Sequence, residues 1–192
     1  MTGKIIFWLI LGTAARLAAA ESYTWWAEPC PPEVAKSTTC QAGDPQLAQW
    51  AFEAWQRESG GEVTFTKADA PEHARIRLHW VGGNSGLYGE TEPIMVDGRR
   101  GANIYVLPSA ANPQDPLLRD AIVYLTCVHE SGHALGLAHT RTFADIMYSF
   151  QYGGDIVAYF ERYRVMLHTR ADIAMHSGVS DDDQATVRRL YR

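Results

Sequence analysis

The sequence predicts a single α+β domain in which a sheet formed by the middle of the chain packs on two long helices. Two patterns lead to this prediction. Segments with apolar residues at every second position, typical of strands, fill the middle of the chain, and segments with apolar residues at helical spacing lie on either side. A composition of 46% hydrophobic and 20% charged residues is that of an ordinary globular domain.

The first twenty residues predict an export signal rather than part of the fold. Lys4 precedes an apolar run over residues 5–15, and Ala18-Ala19-Ala20 has the small side chains that signal peptidase requires. The run is too short to cross a bilayer as a helix. We therefore expect residues 1–20 to be a cleaved signal peptide and residues 21–192 to be one domain without a membrane anchor. The protein should be secreted, to the extracellular space or, in a Gram-negative bacterium, to the periplasm.

The charge balance argues against nucleic-acid binding. The formal net charge is −5, and loss of Lys4 and Arg16 with the signal would leave 15 basic against 22 acidic residues. Nucleic-acid-binding surfaces carry a basic excess or a basic stripe. We expect no nucleic-acid partner, and we expect a monomer.

The three cysteines predict one disulfide and one buried thiol. Cys30 and Cys40 flank a short loop that contains Pro and Thr, and in an oxidising compartment a bond between them is worth about 2–3 kcal/mol. Cys127 lies within a strongly apolar helical pattern, so we expect it to be buried and unreactive.

The elements of the first half can be placed in order along the chain. A first strand is expected at Tyr23–Trp26. Asp44 as N-cap and Pro45 after it open a helix that should stop at Gly60-Gly61. The alternating segments that follow predict strands at residues 62–67, 75–81, 93–96 and 103–107, with a turn at Asp97-Gly98 before the last.

The strongest helix signal lies between residues 116 and 135. Asp115 and Pro116 repeat the start signal, apolar side chains recur on one face, and Gly136 supplies the stop. Twenty helical residues are about 30 Å long. We expect this helix to lie beneath the sheet.

The end of this helix carries a predicted metal site. Residues four apart project from one face of a helix, so His129 and His133 can bind one ion. Glu130 is rotated about 100° from His129 around the helix axis, which is too far for it to bind the same ion but close enough for it to reach a metal-bound water. Gly136 allows a sharp turn, so that His139 can supply a third ligand and leave a fourth position open.

These residues resemble the extended zinc motif of the metzincin metallopeptidases, and the segment from Ala144 to Tyr148 is similar to their Met-turn. Within the metzincins, the chain is most similar to the matrixin branch, the matrix metalloproteinase catalytic domains. Four features are similar to that pattern: Gly132, the run Ala134-Leu135-Gly136-Leu137, Thr140 in place of the branch's usual serine, and the pair Met147-Tyr148.

The resemblance implies a zincin fold, in which a mixed, twisted sheet packs on two long helices and a small C-terminal subdomain ends in a helix. It also implies a protein or peptide substrate and one catalytic Zn²⁺ bound by His129, His133 and His139. It implies that Glu130 is the general base, that Met147 lies beneath the metal and that Tyr148 lies near the substrate pocket. An edge strand near residues 92–96 would hold the substrate in an extended conformation, and residues 179–191 would form the closing helix.

The chain also departs from the matrixin pattern. Ser149 stands where the branch has Pro, and residues 150–179 form a longer segment than the branch usually has before its last helix. The aromatic side chains of this segment could form either core or a pocket wall. No histidine lies between His79 and His129, so a second, structural zinc site is not expected. Ca²⁺ binding, which the family allows, cannot be traced to particular residues. Pro29-Cys30 is weakly similar to the segment that carries the family's latency cysteine, so a latency role for Cys30 is an alternative to its disulfide with Cys40.

The sequence therefore predicts a secreted zinc-dependent metalloendopeptidase in which Glu130 acts on a zinc-activated water. An alternative from another class is a catalytically silent, zinc-containing protein-binding module that uses the same cleft. Glu130 favours the enzyme, because a module or a purely structural zinc site would give it no task.

Overall fold

The α+β architecture expected from the sequence is present in the computed structural model, which describes residues 20–83, 88–109 and 114–192. Apart from Ala20, the predicted signal peptide lies outside the described residues. None of the helices in these ranges is both long and apolar enough to cross a membrane. The elements are β1 (Glu21–Ala27), α1 (Pro32–Ser37), α2 (Asp44–Glu58), β2 (Val63–Lys67), β3 (Ile76–Trp80), β4 (Gly89–Val96), β5 (Arg99–Val106), α3 (Pro116–Leu135), α4 (Ile156–Arg164) and α5 (Asp181–Tyr191).

The sheet is mixed, with strand order β2-β1-β3-β5-β4. The first four of these strands run parallel, and β4 runs antiparallel to β5 at one edge. The turn at Asp97-Gly98 joins the hairpin, and both residues have positive φ. Both hairpin strands start four residues before the predicted points, because backbone pairing continues beyond the alternating segments that the prediction used.

Helices α2 and α3 pack together on one face of the sheet. The indole N–H of Trp55 on α2 donates a hydrogen bond of 2.9 Å to the Val128 carbonyl of α3. That face of the sheet is buried, as alternation predicts. Its largest side chains are Tyr23, Trp25, Ile76, Leu78, Trp80 and Ile104.

Helix α3 has the predicted bounds, because both of its end signals form. The Asp115 carboxylate accepts hydrogen bonds from the amides of Leu117 and Leu118, and Gly136 ends the helix at φ 98°. These two ends fix where the histidines of the last turns lie relative to the sheet.

The first turns of α3 carry a buried network of charges. The Arg119 guanidinium, 3% exposed, lies 2.5 Å from the Asp44 carboxylate and 3.0 Å from Asp120. Asp120 also pairs with Arg170. The prediction that Asp44 is the N-cap of α2 is wrong: Gly43 is the N-cap, and Asp44 is the first helical residue. Its carboxylate accepts from the Gln41 amide and pairs with Arg119 instead.

Cys30 and Cys40 form the predicted disulfide, with 6.0 Å between their Cα atoms. The intervening segment contains the short helix α1 rather than only loop, since Pro32 occupies a first-turn position where its missing N–H is not needed. The bonded Cys30 offers no thiolate, so the latency alternative is not supported. Cys127 is buried, and burial raises the pKa of its thiol well above the ordinary range.

Residues 150–179, the segment predicted to be unusually long, contain α4, which packs against α3. The rings of Tyr124 on α3 and Tyr163 on α4 stack with centroids 5.6 Å apart. The closing helix α5 follows, capped by Ser180. The C-terminal part thus ends in a helix, as predicted, and α4 forms one side of the cleft described below.

Candidate metal centre

A cleft of about 820 Å³ lies between the edge strand β4, the second half of α3 and the start of the C-terminal part. Glu130 and the three predicted histidines line it. At one end the lining is apolar and aromatic, formed by Tyr88, Leu125, Tyr159 and Phe160. At the other end it contains Pro93, Arg100 and Leu137.

The structure brings His129, His133 and His139 together at the centre of the cleft. Their ligand atoms all lie within 4.8 Å of one another, and they are the one such group of three or more His, Cys, Asp or Glu within the described ranges. His129 and His133 project from one face of α3. The turn at Gly136 returns the chain so that His139 completes the group, as the spacing predicts.

Backbone hydrogen bonds prepare two of these rings for metal binding. Nδ1 of His129 lies 2.6 Å from the Ile146 carbonyl, and Nδ1 of His133 lies 2.9 Å from the Leu137 carbonyl. A carbonyl only accepts, so each Nδ1 carries a proton and each Nε2 presents a lone pair. Burial lowers the pKa of all three histidines, that of His129 to about 3, so neutral rings face the cleft at neutral pH.

The spacing of the ring nitrogens fits a zinc ion. Nε2 of His139 lies 3.2 Å from Nε2 of His129 and 3.1 Å from Nε2 of His133. A tetrahedral Zn²⁺ with Zn–N bonds of about 2.0–2.1 Å separates its ligand nitrogens by about 3.3 Å. Because the Nε2 atoms of His129 and His133 lack protons, each can only accept, and a proton on Nε2 of His139 serves one of the two contacts but not both at once. Converging lone pairs repel one another and are stabilised by a cation.

Glu130 lies beside this group with no cationic side chain bonded to it among the described residues. Its side chain is buried, 5% exposed, and burial raises the pKa of its carboxyl to about 7. The Thr91 hydroxyl of β4 lies 2.7 Å from Oε2 and 2.9 Å from the Glu130 carbonyl. Gly89 of β4 lies so close that an added Cβ would be 2.7 Å from Oε1.

Met147 packs against α3 beside the histidines, and Tyr148 lies at the cleft. Met147 is fully buried against α3, at the point where Gly132 has no side chain to exclude its sulfur. The bridge between Thr140 and Tyr148 closes the loop that follows His139. Tyr148 lines the cleft, and its hydroxyl donates to the Gly153 carbonyl at 2.7 Å.

Three features of the site were not predicted from the sequence. Gly89 and Thr91 meet Glu130, and Arg100 lines the cleft, only because the hairpin register places them there. A Thr or an Arg in a strand carries no sequence signal of such a role. The two alternatives for the aromatic segment both hold in part, since Tyr159 and Phe160 are buried and also line the cleft, whereas Phe150 is half-buried and lines it.

Comparisons with known proteins give a likeness to solved structures but none to a family model or a curated sequence. Among solved structures, the chain is similar to archaemetzincin from Methanopyrus kandleri, with a TM-score of 0.47 and 16% identity over 92% of this chain and 98% of that chain.

Proposed function

We propose that this chain is a secreted, zinc-dependent metalloendopeptidase that hydrolyses peptide bonds of protein or peptide substrates. The observation that carries the proposal is the convergence of three neutral imidazoles beside a buried, uncompensated carboxylate in an open cleft. Three protein ligands leave a fourth position open, as a catalytic site requires.

The chain's own residues divide the chemistry among them. His129, His133 and His139 would hold the zinc, and the hydrogen bonds at the Nδ1 atoms of the first two orient their rings. When bound, zinc supplies Lewis acidity that polarises a carbonyl and activates water. The Glu130 carboxylate accepts a proton from that water and delivers it to the leaving nitrogen, as general base and then general acid.

The edge strand β4 gives the substrate a place to bind. Within the described ranges its outer side has no strand partner, and it runs along the cleft from Gly89 to Val96. An extended peptide can add to such an edge through backbone hydrogen bonds. The aromatic end of the cleft then suits an apolar side chain.

Export and the matrixin assignment are the finer parts of the proposal. The charged and apolar pattern of residues 1–20 supports export. Gly132 and the buried Met147 support the matrixin resemblance, while the long segment that carries α4 sets this chain apart from that branch.

The test is digestion of a diverse peptide library by purified residues 21–192, with and without a chelator, alongside metal analysis. We expect one zinc per chain, hydrolysis that a chelator abolishes and zinc restores, and loss of zinc in His133→Ala. Bound zinc without hydrolysis would identify the binding module instead, and absence of zinc would refute the metal centre. Two zinc ions retained through dialysis would reveal a further site.

A further inference from the structure

Arg100 lies at the end of the cleft away from the aromatic pocket, because it pairs with Met95 near the end of β4, whereas Tyr88, whose ring contacts Phe160, precedes the start of that strand. It is on β5, on the same face of the strand as the buried Ala102 and Ile104, but its own side chain is exposed. It is the one Arg or Lys among the described residues that line the cleft. Its guanidinium approaches Gly136 so closely that a side chain there would collide with it.

Arg100 has no acidic partner in the described ranges, and every Asp and Glu of the chain lies within them. Five other arginines do have one, with contacts at Glu21, Asp44, Asp115 or Asp120. The neighbouring Arg99 is an example, since its guanidinium lies 3.0 Å from Glu21. The fold therefore leaves a positive charge uncompensated where a substrate would bind.

The strand register gives the distance along β4 between the residue that contacts Glu130 and the residue that pairs with Arg100. Thr91, which contacts Glu130, and Met95, which pairs with Arg100, are four residues apart on β4. At a rise of about 3.3 Å per residue, this is about 13 Å along the strand. An extended peptide bound beside β4 covers that distance with about four residues.

We infer that Arg100 recognises a carboxylate of the substrate about four residues from the hydrolysed bond, on the side away from the aromatic pocket. The guanidinium fork matches a carboxylate in planar, bidentate geometry. The carboxylate can belong to an Asp or Glu side chain or to the C-terminus of the peptide. This inference rests on the proposed function and names its substrate class.

The experiment uses quenched fluorescent peptides built on a sequence that the library shows to be cut or, if none is cut, on a library sequence that binds zinc-loaded Glu130→Gln. One Glu is moved along the peptide, and each Glu peptide is compared with its Gln twin. A second pair ends at the favoured position with a free carboxylate or with an amide, which separates the two sources of the carboxylate. We expect kcat/KM about tenfold higher for the Glu peptide at that position, a ratio that falls as salt rises.

Variants test whether Arg100 causes the preference for the Glu peptide. Arg100→Gln should remove the preference and Arg100→Lys should keep part of it, because lysine retains the charge but not the fork. Arg99→Gln is the matched control and should keep the full ratio. If Arg100→Gln lowers the free energy of unfolding but keeps the preference, Arg100 only stabilises the C-terminal end of α3 and the inference is wrong.

A binding measurement separates this inference from the proposed function. The Kd values of labelled Glu and Gln peptides are measured by fluorescence anisotropy on zinc-loaded Glu130→Gln, which cannot turn them over. A tenfold preference there supports recognition by Arg100 even if the wild type cuts nothing, which would refute only the peptidase. Equal Kd values and equal cleavage of the two peptides would refute the recognition and leave the peptidase standing.

Discussion

Arg119 and Glu130 lie on the same helix, about 16 Å apart along its axis, and their charges have different surroundings. At the start of α3, Arg119 lies against two carboxylates, and Asp44, fully buried, also accepts from a backbone amide. At the end of α3, Glu130 is almost as buried, but among the described residues its carboxylate has a hydrogen bond only with the Thr91 hydroxyl. The charge at the start of the helix is fully paired, which we call the closed end, whereas the carboxylate at the other end has no cationic partner and can interact with a bound cation.

This difference separates stability from function on physical grounds. A buried charge without a partner costs free energy, so a fold that keeps one has a use for it elsewhere. The raised pKa of Glu130, caused first by its burial, records that cost. The network around Arg119 holds α2 to α3 and has no free group to offer a ligand.

Glu130→Gln should give the largest effect on catalysis. The amide keeps the shape but cannot accept a proton, so peptide hydrolysis should fall by at least about 10²–10⁴-fold. Zinc content should not change, and the free energy of unfolding should stay equal or rise, because the variant no longer buries a carboxylate. Steady-state kinetics and urea unfolding measure the two quantities. Glu161→Gln, an exposed site on α4, is the control and should leave both unchanged.

Arg119→Met tests the closed end of the helix and should act on stability. The change leaves Asp44 buried without a cation, which should lower the free energy of unfolding by about 3–5 kcal/mol. Arg99→Met removes an exposed ion pair and should cost less than about 1 kcal/mol. Both are measured by urea unfolding. A stable Arg119→Met protein with impaired zinc binding would contradict the separation of the two ends.

The parts of the molecule that sequence could predict depend on local signals. The bounds of α3 follow from Asp115, Pro116 and Gly136, which act within one turn of the helix ends. The convergence of His129 and His133 follows from helical geometry alone. Close spacing in the chain therefore made the centre of the site predictable.

The unpredicted parts depend on contacts between distant segments. Thr91 and Glu130 are 39 residues apart, and Asp44 and Arg119 are 75 apart. Such pairs form only once the strand register and the packing of the helices are fixed. This is why Asp44 was expected to be a cap, and why the residues around Glu130 carried no signal.

Thr91→Val, which also acts at the C-terminal end of α3, should lower catalytic activity less than Glu130→Gln does. Valine has a similar shape but no hydroxyl, so Glu130 would lose the group that fixes its orientation, and kcat/KM should fall about tenfold. Thr91→Ser should restore activity, because the hydroxyl returns. A purely structural Thr91 would instead lower the unfolding free energy and leave the pH profile of kcat unchanged. Thr66→Val, on an exposed part of β2, is the control.

Asp115→Ala should give the smallest effect, at the capped start of α3. Loss of the cap should lower the free energy of unfolding by about 1 kcal/mol at pH 7. Burial alone would raise the pKa of Asp115, but hydrogen bonds from the Leu118 amide, the Arg164 guanidinium and the Leu117 amide together lower it. A lowered native pKa stabilises the fold above the unfolded value of about 3.9, and this stabilisation is lost as pH falls through the native pKa. The difference between wild type and Asp115→Ala, measured by urea unfolding, should therefore shrink in acid. Asp115→Asn keeps an acceptor for the amides, so it should cost less than Ala. A difference that stayed constant with pH would show that the cap acts through shape rather than charge.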